Sequence, residues 1–163
     1  MTGLLMSLHY PFPDLPPAGE MTEVAPGIFW LRMPLPFQLD HINLWLLRDG
    51  AGWVIVDTGF ATDDVREIWT QVLGKLDGPL TRLIVTHFHP DHLGLATWLM
   101  EKTGASLSMT SGEFLTAHVV WNEVGGHGAA FMVNQFRQHG LSAELLEKFA
   151  RRGSGYRMAI PSL

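Results

Sequence analysis

The sequence predicts one α/β domain, with a sheet built from its front half and helices gathered in its rear half. Three observations carry that prediction. Short β-rich runs, Gly27 to Leu31, Ile42 to Leu47 and Trp53 to Val56, follow one another between Pro, Asp and Gly residues. A helical period from residue 62 to 76 then gives way to the apolar run around Leu83-Ile84-Val85. Beyond residue 110 every pattern is helical. A chain of 163 residues with 47% hydrophobic content can bury one core, and no second independent domain is expected.

Residues 1–20 are Pro-rich and aperiodic, an irregular arm ahead of the domain at 21–163 that packs on a neighbour through Tyr10 and Phe12 or stays mobile. Asp49-Gly50 followed by Gly52 is turn chemistry, so the runs on either side form an antiparallel hairpin. Thr62 is placed to cap a helix, Asp63 and Asp64 suit the positive end of its dipole, and Val65, Ile68, Trp69, Val72, Leu73 and Leu76 share one face. Gly78-Pro79 ends it. Thr81 to Thr86 reads as a strand buried on both faces, and Asp91 to Lys102 as a single core helix, apolar nearly all round. After a short strand at Ala105 to Met109, Thr110 and Glu113 form a capping box for a further helix. Weaker helical patterns follow around Ala129 to His139 and Ser142 to Arg151.

Composition excludes several functions. A formal charge of -5 and a pI near 5.8, with basic residues never clustered beyond Arg151-Arg152, leave no footprint for nucleic acid. No cysteine is present, so a bound metal would rest on imidazole and carboxylate alone. No Lys or Arg precedes Arg32, and the patch Leu4-Leu5-Met6 is followed by Pro11, Pro13, Pro16 and Pro17, which suits neither a signal peptide nor a membrane helix. A cytoplasmic protein without a membrane partner is expected.

The chemistry concentrates in Thr86-His87-Phe88-His89-Pro90-Asp91-His92. Residues two apart at the end of a strand point the same way, so His87 and His89 can grip one ion together. Asp91 and His92 open the next helix and can face a neighbouring ion. Pro90, just ahead of that helix, fixes the turn that aims all four. Imidazole and carboxylate without thiolate suit zinc, with iron or manganese as weaker fits. A zinc ion with an open position lowers the pKa of bound water to about 7 and polarises a carbonyl, which is hydrolase chemistry.

Thr-His-Phe-His-Pro-Asp-His-Leu-Gly at 86–94 resembles the H-x-H-x-D-H signature of the metallo-β-lactamase superfamily, and Val56-Asp57-Thr58-Gly59 resembles that family's second motif. The order of elements matches over roughly residues 20 to 110. The resemblance implies an αβ/βα sandwich and hydrolysis of a small-molecule substrate, here an ester, thioester or lactone rather than the antibiotic of a periplasmic lactamase. It implies His87 and His89 on a first zinc and Asp91 and His92 on a second, with Asp91 and His92 as the catalytic pair and Asp57 supporting the site from behind. A di-iron redox member of the same family is a further alternative, although such members carry Glu at the second histidine and His89 departs from them.

The family's later ligands, a histidine completing the first metal, a bridging aspartate and a last histidine, have no recognisable counterpart. No aspartate follows Asp91, and only His118, His127 and His139 follow His92. His118, spaced helically from Phe114 and Leu115, reads as a packed or surface residue, and His139 before Gly140 as a helix end. His127, within Gly125-Gly126-His127-Gly128, is the candidate additional ligand or substrate-contacting loop residue. His41 is divided between sheet packing and the cleft. Phe37, Trp121 and Phe131, with Met33 and Met132, are either core or the lining of an apolar acyl pocket.

These departures predict the N-terminal half of the sandwich, lacking the C-terminal half, with partial zinc occupancy and either incomplete hydrolase activity or a catalytically inactive scaffold role. The sheet face of the Ile42 to Leu47 and Trp53 to Val56 runs then lacks its cover, and a homodimer is the expected remedy.

Overall fold

The computed structural model describes residues 8–153 and 155–163. The patch Leu4 to Met6 and the start of the arm lie outside them. Residues 8–20 form neither helix nor strand, Tyr10 and Phe12 are exposed, and the arm meets the domain where Gly19 N–H donates to Arg32 O (3.0 Å).

Six strands form one sheet in sequence order: β1 (Met21–Ala25), β2 (Ile28–Pro34), β3 (His41–Asp49), β4 (Gly52–Val56), β5 (Leu80–Ile84) and β6 (Ser106–Ser108). The first four are antiparallel neighbours, as two- to six-residue connections require, with Asp49 paired to Gly52 across the expected hairpin. β4, β5 and β6 run parallel because a helix intervenes each time. The first crossover is α1 (Asp63–Lys75), whose Thr62 hydroxyl accepts from Val65 N–H as the sequence predicts.

Alternation sorts the strand residues by face. Leu31, Met33, Leu44, Leu46, Ile55 and Leu83 pack on Val65, Trp69 and Val72 of α1 and on Leu95 and Leu99. Trp30, Trp45, Val56 and Ile84 lie on the opposite face, half-buried and outside both core clusters. Residues of the Ile42 to Leu47 and Trp53 to Val56 runs thus alternate between the helix-covered face and the face outside both clusters. β5 departs similarly from the expectation of burial on both faces. Arg82 is exposed on the face opposite Leu83, and Thr81 is exposed at the register shift between β4 and β5.

The predicted helix from Asp91 to Lys102 is two helices, α2 (Pro90–Leu93) and α3 (Ala96–Thr103). The cause lies across the chain at Thr58. Its hydroxyl donates to His92 O (2.7 Å) and accepts from Leu95 N–H (3.1 Å), inserting into the helical ladder between them. Leu95 leaves helical geometry at φ -107°, ψ 12°. Gly94 allows the backbones to meet, since a Cβ there would lie 2.4 Å from Pro90 O, 2.8 Å from Gly59 O and 3.0 Å from Ala61 N.

The rear half contains α4 (Ser111–Trp121), α5 (Ala129–Gln138), α6 (Ala143–Arg152) and the short α7 (Tyr156–Ala159). A second core cluster joins Ala117 of α4 and Tyr156 and Ile160 to Val85, Leu93 and Ala96. Among the described residues no helix is long and apolar enough to cross a membrane.

Gly94→Ala sets a methyl group against backbone atoms that cannot rotate away. It is expected to cost about 2 kcal/mol, in the range of overpacked cores. Urea denaturation that shows a loss of only a few tenths would contradict the close approach.

Candidate metal centre

β4 and β5 end side by side, and the site is built where they do. Asp57, the residue after β4, is buried and held at φ 63°, a left-handed backbone that turns its carboxylate toward the end of β5. There it accepts from Thr86 N–H (2.7 Å), from the Thr86 hydroxyl (2.9 Å) and from His92 Nδ1 (2.8 Å). Burial pushes this carboxyl upward, but the His92 hydrogen bond and the two from Thr86 outweigh it and hold Asp57 below the usual carboxylate range.

The ionised carboxylate fixes two imidazole tautomers. His92 must donate through Nδ1, which leaves the Nε2 lone pair free. The Thr86 hydroxyl spends its proton on Asp57, so its oxygen accepts from His87 Nδ1–H (2.9 Å), and His87 Nε2 is likewise free. His87 Nε2 faces His89 Nδ1 at 3.1 Å, and the His87 and His92 rings lie 3.8 Å apart between centroids. Burial, then the neighbouring His92 and His89, hold the His87 imidazole below the ordinary histidine value, against the pull of Asp57 and Asp91.

His92 Nε2 lies 3.4 Å from Asp91 Oδ2. The four residues therefore form two adjacent pairs, His87 with His89 and Asp91 with His92. Ligand atoms about 2.0–2.1 Å from one tetrahedral zinc sit roughly 3.3 Å from each other. Both pairs match that spacing, and in the first the proton between the nitrogens marks where a cation could be shared. The donor atoms fit zinc as pairs. Among the described residues, however, no group of three or more His, Cys, Asp or Glu side chains is arranged to hold one ion.

His127 is exposed in a 3₁₀ turn (Gly125–His127) and is not brought into such a group. His41 opens β3, with Nδ1 hydrogen-bonded to Asp40 at 2.6 Å. His118 packs on Phe114, and His139 is the C-cap of α5. Of the apolar candidates, Met33 is core and the Trp121 indole donates to Ile160 O, while Phe131 and Met132 are exposed. Phe37 stands edge-on to Phe60, and both line a cleft of about 490 Å³ shared with Pro90, Tyr156 and Met158.

Four residues that hydrogen-bond to the histidine loop or to its supporting residues have partners that escape a reading of the sequence. Thr86 and Thr58 are ordinary threonines whose partners lie 29 and 34 residues away. Glu113 does not close the capping box. Thr110 accepts from Glu113 N–H as expected, but the Glu113 carboxylate accepts from Phe88 N–H (2.9 Å). Tyr156 donates its hydroxyl to Phe88 O (2.6 Å). Burial, then the nearby Glu113, push the Tyr156 phenol up to about 12.

Comparisons with known proteins place the fold in a family. The family model described as "Metallo-beta-lactamase superfamily" matches residues 38–121. The chain belongs to this superfamily. Its fold superposes on a beta-lactamase domain protein from Burkholderia ambifaria with TM-score 0.74 and 40% identity, covering 94% of this chain and 44% of that one. A metallo-beta-lactamase family protein from Thermus thermophilus gives TM-score 0.64 and 30% identity, covering 79% and 43%. Among curated proteins, an atrochrysone carboxyl ACP thioesterase from a Cryptosporiopsis species is 30% identical over 84 residues, 49% of this chain and 26% of that protein. This superfamily chain thus spans less than half the length of these relatives and has the architecture of a half domain.

The raised phenol predicts an alkaline effect whose sign follows from linkage. The unfolded tyrosine loses its proton near 10 and the folded one near 12, so the folded state binds more protons between them and stability falls as pH rises through that window. Denaturation curves from pH 9 to 12 are expected to show this fall, and Tyr156→Phe should flatten it. Equal slopes in the two proteins would refute the assignment.

Proposed function

We propose that the histidine loop is the metal-binding part of a hydrolase centre acting on a small ester, thioester or lactone. The observation that carries this reading is the approach of two imidazole nitrogens to ligand spacing, His87 Nε2 with His89 Nδ1 at 3.1 Å, where a zinc ion would replace the proton they share. His87 and His89 would hold a first zinc, and Asp91 and His92 a second. A bound zinc supplies Lewis-acid activation of water and of a substrate carbonyl. The chain's own contribution is orientation. Asp57 holds His92 directly and His87 through Thr86, keeping the ligand nitrogens deprotonated toward the centre. Asp91 and His92, at the mouth of α2, are the residues proposed to touch the reacting group. The thioesterase named among the relatives supports acyl transfer to water as the reaction class.

A second reading is favoured by one observation. Because neither pair is joined by a third ligand among the described residues, a metal-binding scaffold without turnover fits this polypeptide as well. Dialysis against zinc followed by elemental analysis, then assays on an aryl ester, an acyl thioester and a lactone, separate the two. Zinc uptake approaching two ions per chain with turnover supports the hydrolase, and uptake without turnover supports the scaffold. Absence of uptake, or uptake unchanged in His89→Ala, overturns both.

Asp57→Asn presents one acceptor where three donors converge. Its zinc affinity, measured by competition with a chromophoric chelator, is expected to fall about 10–100-fold, as for other supporting residues behind metal ligands.

We also propose a cytoplasmic homodimer that covers the sheet face of Trp30, Trp45, Val56 and Ile84, a half-buried apolar surface outside both core clusters. Light scattering at high concentration is expected to give twice the chain mass. A clean monomer would remove this proposal.

A further inference from the structure

We propose that Glu113 and Tyr156 are positioning residues for His87 and His89, acting together through the backbone of Phe88; this rests on the reading of those histidines as a ligand pair. Phe88 is the single residue between the two. Its N–H belongs to the peptide plane that follows His87, and its carbonyl to the plane that precedes His89. Fixing both planes fixes both soft torsions of Phe88, and with them the separation of the His87 and His89 α-carbons from which the two imidazoles are aimed. Glu113 holds the first plane through Phe88 N–H (2.9 Å), and Tyr156 holds the second through Phe88 O (2.6 Å).

The Glu113 contact is made at the expense of an ordinary alternative. A glutamate three residues after a helix-capping threonine normally returns to the cap's own backbone N–H. Here it reaches 25 residues back instead. Tyr156 is 7% exposed on a four-residue helix, beside the fully buried Ile160. That helix is seated in turn on α4, because the Trp121 indole donates to Ile160 O (3.0 Å). Two elements from the rear of the chain thus close on one peptide of the loop. The Phe88 ring lies against both Tyr156 and His89, with centroids 6.1 and 4.8 Å away, so the side chain is confined along with the backbone.

This clamp is distinct from the Asp57 support. Asp57 governs which nitrogens of His87 and His92 are free. Glu113 and Tyr156 govern how far His87 stands from His89.

The test uses the whole chain with Glu113→Ala, Glu113→Gln, Tyr156→Phe and, as a control on α4 alone, Thr110→Ala. Two readouts are taken: zinc affinity by chelator competition, and the imidazole nitrogen shifts of the metal-free protein by NMR. Glu113→Ala and Tyr156→Phe are each expected to weaken zinc binding about tenfold. Both should move the His87 and His89 signals while leaving His92, held by Asp57, in place. Glu113→Gln keeps an oxygen that can accept from Phe88 N–H and should stay close to wild type in both readouts. Thr110→Ala should lower stability without moving the imidazoles. Unmoved His87 and His89 signals in folded Glu113→Ala and Tyr156→Phe, or a Glu113→Gln protein as impaired as Glu113→Ala, would overturn the clamp. If the wild-type chain takes up no zinc, the ligand reading fails, and the metal-free spectra still decide whether the clamp sets the imidazoles.

Discussion

A single buried carboxylate organises the end of this sheet. Asp57 gathers a backbone N–H, a hydroxyl and an imidazole that come from the end of β5 and from α2, and all three donors converge because the parallel pairing of β4 with β5 brings residue 57 beside residue 86. An unpaired carboxylate in that position would carry a large desolvation penalty. Three charge-assisted hydrogen bonds reverse it, and they do so only if Thr86 and His92 stay where they are. The left-handed backbone at residue 57 belongs to the same account: strain of about 1–3 kcal/mol in such conformations persists where the surroundings over-determine it. The histidine loop is ordered because moving it would strand this charge.

Thr58 extends the constraint into the core. Its hydroxyl breaks the helical ladder between His92 and Leu95, its N–H also donates to His92 O, and its carbonyl accepts from the Trp69 indole of α1. One buried residue therefore ties α1, α2 and the start of α3 to the end of β4. The consequence for chemistry is that α2 is a single turn with its own orientation, independent of the longer helix behind it. Asp91 and His92 can face the loop while Leu93 and Leu95 face the interior. A continuous helix from 91 to 102 would have had to satisfy both demands with one axis.

How much of this is legible in the sequence follows from where the partners lie. The helix at 63–75 is written locally, in a capping threonine and a repeated apolar face, and it forms where those signals place it. The four ligand candidates fall within six consecutive positions, so a short stretch of sequence is enough to group them, and the hairpin at Asp49 to Gly52 is equally local. The break at Gly94-Leu95 is not legible because its cause is a hydroxyl 37 residues earlier. Glu113 misleads for the opposite reason: a local rule offers a complete role for it, and a partner 25 residues away displaces that role. The apolar centre of the strand at 80–84 suggests two buried faces, whereas Arg82, pointing opposite to Leu83, already marks one face as polar.

The division of labour along the chain has a consequence for mechanism. Everything that decides which atoms are presented, namely Asp57, Thr86 and the pairs they orient, is built by the sheet and its two crossovers. What decides how the loop is spaced, and what stands beside it, comes from the helical rear: Glu113 on α4, and Tyr156 and Met158 on α7. The cleft shared by Phe37, Phe60, Pro90 and Tyr156 is where the two contributions meet. Changes in the rear half can therefore alter the apolar wall and the separation of His87 from His89 while leaving the protonation pattern set by Asp57 untouched. On the hydrolase reading proposed above, such a scaffold would let the acyl part of a substrate vary against a constant ligand set, because the apolar wall and the ligand pairs are held by different layers of packing.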